Sequence, residues 1–242
     1  MISLNEYSIL FNQYLICFEY NTIKFPYFYN KKTPLQNFIS ITKKARYWTL
    51  GDPNSEKIIY VLHGYGQLAE YFIKNFEPLV DLGFYIIAPE GTQRFYLNGT
   101  SGRVGASWMT KELREIDIEE NNNYLESLHL EISKINSYKS IHLLGFSQGG
   151  ATASRWKFTS KINFSHFILW ACVFPDDVKI DFEEKTEFKS KKTFVVGQKD
   201  EYFNSENLLK VTDFYKKNNF EVFLFDGGHK IDLKTLLLIC NI

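Results

Sequence analysis

The chain has 242 residues, of which 45% are hydrophobic and 23% charged, a balance that excludes both a disordered polar chain and a membrane-embedded bundle. At roughly 150 residues per domain this reads as one large domain, long enough to bury a core without disulfides or a structural metal. Twenty-eight basic residues cancel twenty-eight acidic ones, so no net field draws the chain to a nucleic acid or to an anionic membrane surface.

Cys17, Cys172 and Cys240 are odd in number, widely spaced and form no C-x-x-C pair, which argues against a disulfide framework or a zinc site and for a reducing cytoplasm. The first twenty residues lack a basic start, an unbroken apolar run and a small-residue cleavage site, so they do not read as a secretory signal. No stretch reaches the roughly 18 apolar residues of a membrane span, and no integral membrane association is expected.

Residues 1–36 are aromatic and Asn-rich without a clean period, and they read as an N-terminal extension of unassigned role. A strand-like segment then runs over 38–49 and closes at Gly51-Asp52-Pro53-Asn54, where proline fixes one φ angle and Asp or Asn can bond nearby backbone. It resembles an antiparallel edge strand. Short apolar runs follow at 58–62, 84–88, 141–144, 167–171, 193–196 and 222–225, with helical spacing at 68–82, 111–135, 148–161 and 204–218 between them. Strands that alternate with helices imply crossovers and a mostly parallel sheet with helices on both faces, an α/β fold. Sites in such sheets lie beyond the carboxyl ends of the strands, so the residues after each strand matter most.

After the run at 141–144 comes Gly145-Phe146-Ser147-Gln148-Gly149-Gly150, a G-x-S-x-G string between a strand and a helix. This is the pattern of a nucleophile elbow, in which a tight turn exposes a serine hydroxyl at a helix N-terminus. A serine needs a base, most often a histidine held by a carboxylate. Of the five histidines, His129 lies within a helix, His142 and His166 lie in strands, and His63 belongs to a separate motif. His229 follows the last core strand through Asp226-Gly227-Gly228 and is the expected base. The acid is expected between Ser147 and His229, just past a strand. Asp200 meets that condition, with Glu201 as its rival, Asp176 and Asp177 as weaker ones, and Asp226 read as a turn residue. His63-Gly64-Tyr65-Gly66-Gln67 follows the strand 58–62 and supplies a turn where backbone N–H groups can face a developing oxyanion; the donors are expected to be Tyr65 and Gln148.

Taken together, His63-Gly64-Tyr65-Gly66, the Gly-Phe-Ser-Gln-Gly-Gly string, Asp200 and His229 resemble the phospholipase/carboxylesterase family of α/β-hydrolases, which includes acyl-protein thioesterases. The resemblance spans 37–242 and implies an α/β-hydrolase fold, a Ser147-Asp200-His229 triad and no cofactor or metal. Many members carry Asp after the His-Gly-x-Gly turn, where this chain has Gln67.

The segment 89–108 exceeds a plain β-α turn and offers Phe95 and Trp108 as a candidate pocket wall or lid, with Phe174 as a further rim residue. Arg94 and Arg103 are candidates to recognise an acidic group on a substrate, and the charge run 181–192 reads as a solvated linker. The expected activity is hydrolysis of a small-molecule or lipid-like carboxylic ester through an acyl-enzyme. Acyl-protein thioesterase or lysophospholipase-like activity is the alternative within the class, and a non-catalytic binding protein the alternative outside it. A homodimer is left open.

Overall fold

The computed structural model describes residues 34–179 and 190–241; most of the 1–36 extension and of the 181–192 charge run lies outside them. The chain divides into Met1–Thr42, described over 34–42, where it forms no regular structure, and a body, Lys43–Ile242.

In chain order the body contains β1 (Tyr47–Leu50), β2 (Lys57–Leu62), a one-turn α1 (Ala69–Phe72), β3 (Phe84–Pro89), β4 (Gln93–Asn98) and β5 (Ser101–Ser107). It continues with α2 (Arg114–Ser133), β6 (Ser140–Phe146), α3 (Gln148–Thr159), β7 (His166–Trp170), β8 (Lys191–Gly197), α4 (Ser205–Lys217), β9 (Glu221–Phe225) and α5 (Leu233–Cys240). Seven strands form one sheet in the order β1-β3-β2-β6-β7-β8-β9. Only β1 runs antiparallel, against β3; every other pairing is parallel. The fold is that of an α/β-hydrolase.

The apolar runs of β2, β3, β6, β7 and β8 are continuous because both sheet faces are covered there, whereas the edge strand β9 leaves Leu224 exposed, so the run at 222–225 is not buried on both faces as expected. Along β2, Tyr60 and Leu62 point to one face and Ile59 and Val61 to the other, each fully buried. The first face packs against Leu125 and Leu128 of α2, Trp156 of α3 and Tyr215 of α4. The second packs against Phe72 of α1, Phe76 and Leu79 of the following 3-10 segment, and Leu236 and Ile239 of α5.

Three further expectations are revised. The edge strand is shorter than 38–49, since pairing with β3 holds only Tyr47 through Leu50. The helix expected over 68–82 is one α-turn followed by a 3-10 segment, Ile73–Leu79, that contains Pro78, a residue with no N–H for a helical bond. The segment 89–108 is an antiparallel hairpin, β4 with β5, instead of a loop.

The strand order fixes where a site can form. From β2 the chain moves to β3 on one side and then returns to β6 on the other, so the order reverses between β2 and β6. A crevice opens at such a switch point, beyond the carboxyl ends of the two strands.

Candidate active site

The elbow and the glycine turn both leave that switch point. Leu62 is paired with Gly145, so the turn beginning at His63 runs beside Phe146 and Ser147. Ser147 has φ 53° and ψ −121°, a left-handed, strained conformation for a residue with a side chain. What holds it there is close packing: a Cβ on Gly145 would meet the Gly149 carbonyl oxygen at 2.5 Å, and one on Gly149 would meet the Leu62 carbonyl oxygen at 2.3 Å. The Ser147 N–H donates to the Trp170 carbonyl oxygen at 2.9 Å, fastening the elbow to the end of β7.

The loops after β8 and β9 are bonded to each other. Gln198 N–H donates to Phe225 O and Lys199 N–H to Gly227 O, both at 2.9 Å, and this brings Asp200 beside His229. His229 Nδ1 lies 2.8 Å from Asp200 Oδ2, with the carboxylate side chain fully buried. The second Asp200 oxygen accepts the Tyr202 N–H at 3.0 Å. A carboxylate oxygen can only accept, so Nδ1 is the donor of this bond, and Nε2 has no partner among the described residues.

The rival carboxylates have other work. Glu201 accepts the backbone N–H of His229 at 3.2 Å and holds the chain there instead of the ring. Asp177 binds Arg155 and Arg114, whose guanidinium groups keep its carboxyl well below the usual range. Asp226 pairs with Lys199 at the surface, and Asp176 lies 3.9 Å from Arg114.

The imidazole of His229 is seated between rings, with Phe146 at 4.8 Å and Tyr202 at 4.5 Å between centroids. Its loop is tied to the elbow a second way: the Trp170 indole N–H donates to the Lys230 carbonyl oxygen at 3.0 Å, while the Trp170 carbonyl holds Ser147. Among the described residues no hydrogen bond joins the Ser147 hydroxyl to His229. The ring rests against Phe146, the residue preceding Ser147.

The glycine turn is shaped by Gln67, whose Oε1 accepts the Gly64 N–H at 2.8 Å. Gly66 N–H is taken by Ala106 O at 2.8 Å, and Ala106 N–H returns a bond to Gln67 O at 3.1 Å, so β5 docks on the turn. With those donors engaged, the N–H groups of Tyr65 and Gln148 have no acceptor among the described residues. Gln148 keeps its side chain on β5 and beyond: its Oε1 accepts the Trp108 N–H at 3.1 Å and its Nε2 donates to Met109 O at 2.9 Å.

His63 is a support. Its Nε2 accepts the Gly91 N–H at 3.0 Å and its Nδ1 meets Gly64 O at 2.8 Å, while burial lowers its pKa to about 4 and keeps it neutral. Trp108 stacks on His63 and donates its indole N–H to His63 O at 2.9 Å. Its side chain is buried, so it braces the turn from beneath and offers no surface to a substrate, contrary to expectation. Phe95 stacks on Tyr65 at 5.1 Å and does flank the turn. Phe174 packs against Phe158 and Phe214 and lines a separate cavity of about 200 Å³ with α4.

Glu90, just past β3, is a feature that sequence reading missed. It is fully buried and accepts bonds from Arg46 at 2.7 Å, Arg94 at 2.8 Å and the Ala69 N–H at 3.2 Å. Burial pushes its pKa up, but the two guanidinium groups and the amide outweigh burial and hold it below the usual range. An acidic residue that ends an apolar run was the only signal. Among the described residues no group of three or more His, Cys, Asp or Glu side chains is placed to hold a metal ion, and no helix is long and apolar enough to cross a membrane.

No curated protein matches the chain. Solved structures similar to it include maize (Zea mays) acyl-protein thioesterase 2, with 17% identity and a TM-score of 0.61 over 82% of this chain and 97% of that one. A carboxylesterase from Mesorhizobium loti matches at 14% identity and a TM-score of 0.63, covering 81% of this chain and 93% of that one. A phospholipase/carboxylesterase from Dyadobacter fermentans matches at 18% identity and a TM-score of 0.54, covering 84% and 97%. At such identities the likeness is one of fold. A family model described as "Serine hydrolase (FSH1)" matches residues 54–235, which include the elbow, both loops that carry Asp200 and His229, and the glycine turn. The chain is therefore a member of the FSH1 serine hydrolase family.

Proposed function

We propose that the protein hydrolyses carboxylic esters of small molecules through an acyl-enzyme on Ser147, with His229 as general base, Asp200 as its orienting acid, and the N–H groups of Tyr65 and Gln148 as the oxyanion hole. The observation that carries this reading is the 2.8 Å bond from a buried carboxylate to His229 Nδ1, which leaves Nε2 unpaired beside the elbow. A histidine in that tautomer is fit to accept a proton.

In the first half-reaction His229 Nε2 takes the Ser147 proton as the hydroxyl rotates toward it around a bound ester. The oxygen attacks the carbonyl carbon, and the two backbone N–H groups receive the oxyanion. Preorganised donors of this kind cost no reorganisation in the transition state, and one is worth about 3 kcal/mol. Asp200 stabilises the imidazolium, which then returns its proton to the departing alcohol. Water, deprotonated by the same nitrogen, cleaves the acyl-enzyme through a second oxyanion.

The test is hydrolysis of p-nitrophenyl esters of increasing acyl length. Turnover that peaks at short chains and disappears in Ser147→Ala is the expected result. Turnover that rises steadily to long chains moves the assignment to an acyl-protein thioesterase type of substrate, and undiminished turnover in Ser147→Ala overturns the nucleophile.

A further inference from the structure

Two arginines of the β4–β5 hairpin look alike in sequence and differ in the structure. Arg94 is committed to the buried Glu90, 2.8 Å away, and serves the fold. Arg103, on β5, is exposed and makes no ion pair or hydrogen bond among the described residues. It lines a cavity of about 580 Å³ together with Gly66, Gln67, Tyr71, Phe72 and Asn75, and no acidic side chain lines that cavity.

The cavity adjoins the glycine turn. It begins at Gly66 and Gln67, immediately after Tyr65, and its wall residue Phe72 packs 5.8 Å from Phe146, the residue before Ser147. Its size falls within the range of small-molecule sites, roughly 300–1,000 Å³. Phe72 and Tyr71 offer apolar surface to a short methylene chain, and Asn75 and Arg103 are the polar groups beyond it. Lys74, whose ammonium lies 5.4 Å from the Tyr71 ring centre, adds a second positive charge near the same wall.

We propose that this cavity holds an arm of the ester that ends in a carboxylate, and that Arg103 sets specificity by pairing with it. The inference rests on the reading of Ser147 as nucleophile. A guanidinium with both edges uncommitted can take a carboxylate in a bidentate fork, which a neutral ester of the same length cannot supply. Because Arg103 is exposed, salt screens the pair, and the preference shrinks as ionic strength rises.

The experiment compares kcat/KM for matched anionic and neutral esters. On the acyl side the pair is p-nitrophenyl hemiglutarate against its methyl ester; on the alcohol side it is 4-carboxyphenyl butyrate against 4-carbamoylphenyl butyrate. The wild-type chain is expected to favour the anionic member of one pair by about tenfold at low salt. Arg103→Gln should bring that ratio near one, Arg103→Glu should invert it, and about 0.5 M salt should move the wild-type and Arg103→Glu ratios toward one while leaving Arg103→Gln unchanged. The neutral ester reports that each variant is folded. Hydrolysis with no charge preference on either arm, or a preference that survives Arg103→Gln, overturns the inference and leaves the nucleophile standing. No hydrolysis of any of the four esters overturns both.

Discussion

The two ends of the central sheet carry the same residue type in opposite states. At the amino end, His142 of β6 and His166 of β7 face each other in register, with ring centroids 5.5 Å apart. Their partners are hydroxyls, Ser140 and Thr193, each at 2.8 Å, and burial lowers their pKa values to about 4 and about 3. No carboxylate stabilises a charge there, so these rings stay neutral and serve packing. At the carboxyl end His229 has a buried carboxylate on one nitrogen, an unpaired second nitrogen and a ring that reaches solvent. What separates His229 from the two packing histidines is the buried anion behind its ring, and this is the difference on which the proposed role of His229 rests.

The comparison can be broken most sharply at the elbow. Ser147→Ala should lower kcat/KM by about 10⁴-fold or more with an unchanged thermal midpoint, because the hydroxyl acts as a unit with its base. Next in size, Asp200→Asn should cost about 10³ to 10⁴-fold by favouring the wrong tautomer of His229, whereas Glu201→Gln, which alters only a bond to backbone, should cost less than about tenfold. Equal losses from the two substitutions would contradict the division of labour between the adjacent acids.

Stability measurements sharpen the same contrast. Glu90 shows how this fold handles a buried charge at the carboxyl end, by surrounding it with donors. Glu90→Gln leaves two guanidinium groups without their anion and should lower the unfolding free energy by about 2 kcal/mol in a denaturant titration. At the amino end the sign follows from linkage. Unfolded histidines take up protons below about pH 6.5 while native His142 and His166 remain neutral, so the unfolded state binds more protons and stability decreases as the pH is lowered. Their contribution is complete above about pH 6.5 and is lost as pH descends toward about 4 for His142 and about 3 for His166. Beyond burial, Lys57 and Lys191 both disfavour a charge on His142, and His142 in turn disfavours one on His166. His142→Leu should reduce the slope between those limits by about one proton, or ~1.4 kcal/mol per pH unit, as read from thermal unfolding. An unchanged slope would contradict it.

Much of this was legible before any coordinates. The strands announce themselves as apolar runs because both faces of the sheet are buried, and the elbow is legible because Gly145 and Gly149 lie where a Cβ has no room. The hairpin was not legible, because β4 and β5 lie outside the central sheet and β4 with the first half of β5 is largely exposed, so their pattern is not strongly apolar. Trp108 follows a strand and could line a pocket, but its ring turns inward, which sequence does not specify, while Phe174 lines a cavity with α4. The adjacent acids Asp200 and Glu201 were likewise separable only in space, where one meets the ring and the other the backbone. Arg94 and Arg103 differ for the same reason, since the anion that claims Arg94 comes from the end of β3.

The most direct test of the central claim is labelling by a fluorophosphonate, followed by peptide mass mapping. An activated serine reacts quickly and an idle one does not. The account predicts a single adduct on the peptide that contains Ser147, lost in Ser147→Ala and much slower in His229→Ala. An adduct on another residue, or labelling of Ser147 at the same rate without His229, would contradict it.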